Sequence, residues 1–214
     1  MSNMLYEVID VDKITEIFDN GRKINVIKDV AENTIGVEET NNVWREARII
    51  LKDILNRYPT IQPKEQLHTD LIFPHIAVYK ALLRSHSDKA VKIMEDGEAI
   101  TAKESAKSFQ KIVSLPFGKT IFLKAFAAGC KSGFGPEAGF ANIVHNAGSK
   151  EYKMDVTACP YVKYCNSEGC PELTHIFCDN DVYAYGHLKG IRFIRTETLG
   201  TGGSRCDFLL VRDK

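Results

Sequence analysis

GFANIVHNAGSKEYKMDVTAC, residues 139–159, is the stretch in which the chain changes its period. Before it, apolar residues recur at steps of three and four. Within it, polar and apolar residues alternate, and Gly148 separates two short runs. Alternation at period two marks a half-buried strand, and a glycine-bearing break between two such runs marks a turn. The same texture returns in IRFIRTETL (191–199) and RCDFLLVRD (205–213), which flank GTGGS (200–204), a hairpin-like connection. Between the second and third of these segments, CPELTHIFCDNDVYAYG (170–186) keeps Leu173, Ile176, Phe177 and Tyr183 at helical spacing. Residues 136–214 therefore read as an antiparallel sheet with a packed helix.

Upstream, residues 1–135 read as helical. Val43, Ala47, Ile50, Leu51, Ile54, Leu55 and Tyr58 form one apolar stripe, and Pro59 and Pro63 end that helix. A second helix is expected to begin near Leu71 or Pro74, since Pro is tolerated in a first turn. A third is expected from Ser87. A fourth should start at Thr101, where Glu104 three residues on resembles a capping box, and a fifth should cover Thr120 to Ala128. No internal repeat or low-complexity tract is visible. The fold class is α+β, with a helical N-terminal part and a cysteine-rich C-terminal part in one compact unit.

The chain has 214 residues, and 28 basic residues balance 28 acidic ones, so the formal charge is zero. A general nucleic-acid binder would carry a basic footprint, so that class is excluded. The apolar runs fall short of the roughly 20 residues that span a bilayer, so no membrane partner is expected. The acids in MSNMLYEVIDVDK stand where a signal peptide would be basic, which points to the cytoplasm. All six cysteines follow Gly129. Reducing cytosol disfavours disulfides, which leaves buried thiols, metal ligands or a reactive thiolate.

A zinc site normally shows close ligand pairs. Here the Cys165–Cys170 C-x4-C is the one compatible spacing, and Cys159, Cys178 and Cys206 are the alternative set should the fold bring them together. No cofactor is expected on the main reading; zinc or an iron–sulfur cluster belongs to the alternative, a non-catalytic binding module. For nucleophilic chemistry a thiol needs a lowered pKa or a base. Cys178 lies beside Asp179 and Asp181, Cys206 follows Arg205 and a glycine-rich turn, and His175 would share a helical face with Cys178. In a strand, period two would put Phe193, Arg195 and Glu197 on one face and Arg192 on the other. Arg195 and Glu197 would then either pair or bind a ligand, and Arg195 suits a bidentate clamp on a carboxylate.

Together, GCPELTHIFCDNDVYAYG (169–186) and IRFIRTETLGTGGSRCDF (191–208) resemble the C-terminal signature of the L-2-amino-thiazoline-4-carboxylic acid hydrolase family. FPHIAVYKALL (73–83) resembles the helix those proteins carry near their middle. The match puts Cys159, Cys178, Asp181, Arg195 and Cys206 with Asp207 on motif positions. The resemblance implies a hydrolase opening a cyclic amidine that bears a carboxylate, giving N-carbamoyl-L-cysteine. The chemistry then asks for a carboxylate anchor (Arg195), a base for water (Asp181 or Asp207) and a group for the departing sulfur. Cys178 or Cys206 would fill the last role, or attack the carbon directly. The expected partner is a carboxylate-bearing small molecule; a homo-oligomer is left open. The Cys-rich sheet also resembles the small-molecule-binding domains of the 4-vinyl reductase type.

Overall fold

A computed structural model describes residues 11–213. Met1–Asp10, on which most of the leader-peptide reading rests, lies outside the described residues. The order is α1 (Val11–Asn20), α2 (Arg22–Ile35), α3 (Val37–Arg57), α4 (Pro63–Ser85), α5 (Ser87–Val113), α6 (Gly118–Gly133), β1 (Ala141–Ala147), β2 (Glu151–Ala158), α7 (Pro160–Ser167), α8 (Leu173–Tyr185), β3 (Ile191–Ile194) and β4 (Cys206–Arg212). The strands form one antiparallel sheet in the order β1-β2-β4-β3. The α+β class and the helical N-terminal part are as the sequence implies. Among the described residues no helix is long and apolar enough to cross a membrane.

Three local expectations are corrected. The second helix starts at Pro63, and Pro74 sits inside it. Pro63 takes the first-turn place, and the continuous burial of Ile72, Phe73, Ile76 and Ala77 holds the helix through the amide that Pro74 lacks. The expected break at Thr101 is absent: α5 runs unbroken for 27 residues. The Thr101 hydroxyl donates to the Glu98 carbonyl within the same helix, so it caps nothing. The segment IRFIRTETL is a strand only as far as Ile194. Asp207 accepts hydrogen bonds from the Thr196 and Glu197 amides and the Thr196 hydroxyl, and this pulls the chain out of the ladder. In addition, Pro160 opens a helix, α7, that the periodicity did not single out.

Apolar burial divides into two clusters. One joins α1–α5 to Tyr164, Cys165, Cys170, Leu173, Ile176 and Phe177 of the α7–α8 region. The other places α6 against the inner face of the sheet, where Tyr152, Met154, Val156, Phe208 and Leu210 point. The sequence change near residue 136 is therefore a change of pattern within interleaved cores. Two acids fasten the C-terminal helices to the N-terminal ones. The buried Glu168 takes two hydrogen bonds from Arg57, at 3.0 and 2.6 Å, and one from Lys80 at 2.8 Å. Glu65 accepts from Lys163 and from the Tyr164 hydroxyl.

The most enclosed charge is Glu98 on α5. His75 Nε2 lies 2.7 Å from its Oε1, while Lys23 Nζ at 3.1 Å and the Asn180 amide both donate to Oε2. Gly97 lets α2 come close enough for the Lys23 contact, because a Cβ there would sit 2.6 Å from Ile27 Cγ1. Burial alone would raise the Glu98 pKa. His75, Lys23 and Asn180 together outweigh it and hold the carboxyl at about 2.

Removing one partner of such a buried network costs about 3–5 kcal/mol. Glu98→Gln should therefore lower the urea midpoint strongly at pH 7. Because the folded pKa is depressed, wild-type stability from this group is present above pH 4.5 and is lost as pH falls toward 2. The gap between wild type and variant should accordingly narrow in urea titrations below pH 4.5.

Candidate active site

A cavity of about 280 Å³ lies where the two cores meet, between α6, α8 and the inner face of the sheet. Its walls are mainly apolar, with Phe126, Phe134, Phe140, Tyr161, Phe177 and Phe208 on them. The volume is near the lower end of the roughly 300–1,000 Å³ seen for ligand pockets, which suits a small molecule. The polar groups on the wall come from three directions: Cys178, Asn180 and Asp181 from α8, Cys206 from the start of β4, and Lys23 from α2. Cys130 and Cys159 also line it, and burial pushes each of those thiols up to about 11.

Cys178 and Cys206 lie together on the cavity wall, and their thiols influence each other as a pair. The Cys178 thiol is pushed up, chiefly by its interaction with Cys206 and then by burial. Cys206 is pushed down, first by its interaction with Cys178, against the effect of burial. It also accepts the Leu199 amide at 3.3 Å and lies near the Arg195 charge. The pair thus favours one thiolate, on Cys206, with Cys178 as its S–H donor. Gly200 makes the approach of the turn to α8 possible, since a Cβ there would lie 2.8 Å from Cys178 Sγ.

Asp181 is the carboxyl of the cavity. Its side chain keeps 34% of its exposure, but it lines the cavity among apolar walls, where a charge is poorly solvated. Burial raises its pKa to about 7, with Arg195 opposing and Asp179 adding to the rise. A carboxyl with a pKa there can act as acid or base near neutral pH.

Arg195 does not line the cavity. With the strand ending at Ile194, its side chain turns to α8, where Nη1 donates to the Cys178 carbonyl at 2.8 Å and to Asp181 Oδ2 at 3.0 Å. Arg195 thus holds Asp181 and the backbone of Cys178. The shared strand face with Glu197 does not exist; Glu197 instead accepts from the Ser204 amide and pairs with Arg205 at 3.3 Å, bracing the turn after Thr201. Asp207 is spent on the amides of Thr196 and Glu197. His175 faces Glu95 of α5 at 3.3 Å, so the Cys178–His175 pairing is not formed. Cys165 and Cys170 are hydrogen-bonded together but lie inside the helical core. Among the described residues, no group of three His, Cys, Asp or Glu side chains is arranged to hold a metal ion, Cys159, Cys178 and Cys206 included. Sequence spacing missed Lys23, which enters the cavity wall from α2, and the aromatic walls, whose residues come from several separated elements.

Fold and site together define an α+β protein with a partly open apolar cavity, a thiol pair and a carboxyl balanced near neutrality. The chain belongs to the L-2-amino-thiazoline-4-carboxylic acid hydrolase family, whose sequence model matches residues 66–210. No curated protein and no solved structure matches it.

The thiol environments differ enough to be separated chemically. At pH 8, iodoacetamide should label Cys206 at least about tenfold faster than Cys130 or Cys159, because the thiolate is the reacting species. Cys165 and Cys170, with 0% exposure, should resist until the protein is unfolded. Peptide mass spectrometry over a time course checks the order; equal rates for all six cysteines would contradict the pairing.

Proposed function

We propose that this chain hydrolyses a small cyclic amidine bearing a carboxylate, as in the conversion of L-2-amino-thiazoline-4-carboxylate to N-carbamoyl-L-cysteine. One observation carries the reading: a thiol pair with a favoured thiolate and a carboxyl with a pKa of about 7 share the wall of one small cavity. The family membership supports the same chemistry.

The reacting carbon is bonded to the ring nitrogen, the ring sulfur and the exocyclic amine. In the proposed route the Cys206 thiolate adds to this carbon while protonated Asp181 gives its proton to the ring nitrogen. The tetrahedral adduct expels the ring sulfur as a thiolate. The ring opens, and a positively charged isothiouronium remains on Cys206. Asp181, now a carboxylate, takes a proton from water as the water oxygen adds to that carbon. Collapse returns Cys206 as the thiolate, again held by the Cys178 S–H, and the hydroxyl proton of the adduct passes to the ring thiolate. One water is consumed and the product is a urea with a free thiol. Arg195, through its bond to Asp181 Oδ2, fixes the carboxyl and limits how far its pKa rises.

The test is to incubate purified protein with the thiazoline carboxylate and follow N-carbamoyl-L-cysteine by chromatography with mass detection. Turnover by wild type and none by Cys206→Ala is the expected result, and product no greater than in that control would overturn the reading. Since the first step uses protonated Asp181, kcat/KM should fall as pH rises through about 7. Asp181→Asn should lose that limb and lower kcat by about 10²–10⁴-fold, the usual contribution of a positioned acid or base.

A further inference from the structure

We infer that Lys23, carried on α2, is the specificity residue that holds the substrate carboxylate. The inference rests on the reading above for what happens at the other end of the cavity. Among the described residues that line the cavity, Lys23 is the single Lys, Arg or His. Arg195, the other candidate from the sequence, is spent on Asp181 and on a backbone carbonyl. A carboxylate entering a mainly apolar cavity needs a charge partner, because an unpaired buried anion is costly.

Lys23 contacts a carboxylate that other donors also use. Its Nζ donates to Glu98 Oε2 at 3.1 Å, but the same carboxylate also faces His75. His75 Nδ1 lies 2.7 Å from the Leu71 carbonyl, an acceptor only, and Nε2 lies 2.7 Å from Glu98 Oε1. Lys23 thus shares its carboxylate partner with His75 and Asn180, and its side chain keeps 36% exposure where it reaches the cavity wall. Asn180, bonded to the same Glu98 oxygen, is adjacent in α8 to Asp181. Lys23, Asn180 and Asp181 all line one cavity of about 280 Å³, a size that suits a small ring with a carboxylate at one side and an amidine at the other. Lys23 also lies outside the matched residues 66–210, whereas every other lining residue falls within them.

The experiment uses the full-length chain and two compounds, the thiazoline carboxylate and 2-amino-2-thiazoline, which lacks the carboxylate. Dissociation constants come from calorimetry and KM and kcat from product formation, for wild type, Lys23→Gln and Lys23→Arg. Lys23→Gln should weaken binding of the carboxylate compound at least about tenfold, leave 2-amino-2-thiazoline within about twofold, and change kcat little. Lys23→Arg, which keeps the charge on Glu98 and in the cavity, should recover most of the loss. Equal weakening of both compounds, or of neither, overturns the assignment. If Lys23→Gln fails to fold, Lys23→Arg decides: retained discrimination between the two compounds supports the assignment, and loss of it overturns it. Wild type that hydrolyses the carboxylate compound with Lys23 indifferent sinks this inference alone. Wild type that binds it through Lys23 without turnover sinks only the hydrolytic reading, and wild type that binds neither compound overturns both.

Discussion

A carboxylate closed off from water must be matched by donors, and Glu98, at 1% exposure, draws its donors from three other helices. His75 comes from α4, Lys23 from α2 and Asn180 from α8. Each donor has a fixed reach, so the requirement to satisfy one anion sets the spacing of four helices at once. It also sets the rotation of α8. With Asn180 turned to Glu98, the neighbouring Asp181 and Cys178 are left on the side of the helix that borders the sheet, where Cys206 and Arg195 meet them. The site is a downstream result of satisfying a buried charge.

The period of the apolar pattern carried most of the fold. The stripe from Val43 to Ile54 and the alternation Tyr152, Met154, Val156 are each buried along one face, and each was legible because burial itself imposes the spacing. The signals that misled were local ones. Thr101 with Glu104 has the form of a cap, yet α2 and α8 pack along α5 on both sides of it, and a helix wanted by its neighbours does not stop for a favourable cap. Pro74 lies in a helix for the same reason. The end of β3 depended on Asp207, a residue on another strand, so nothing within IRFIRTETL could announce it.

The site was legible in its residue types and less so in its partners. Cys178, Cys206 and Asp181 share one cavity wall, and their nearness follows from α8 packing beside the β3–β4 connection. Arg195 was read through strand alternation, which put Glu197 beside it; since the strand ends just before Arg195, its nearest carboxylate is Asp181. Lys23 gave no signal. It is one of many lysines on amphipathic helices, and only the pairing of α2 with α5 around Gly97 brings it to the cavity.

The cavity takes its wall from both apolar clusters, with Phe177 belonging to the helical one and Phe126 and Phe208 to the one beneath the sheet. A molecule seated there is held only while both are folded. Its binding free energy is therefore shared by two packing units that otherwise meet mainly through side chains at their border. At 100 times its dissociation constant a ligand adds about 2.7 kcal/mol to the stability of whatever must be intact to bind it. Occupancy of this chamber would therefore couple the stability of the helical layer to that of the sheet layer.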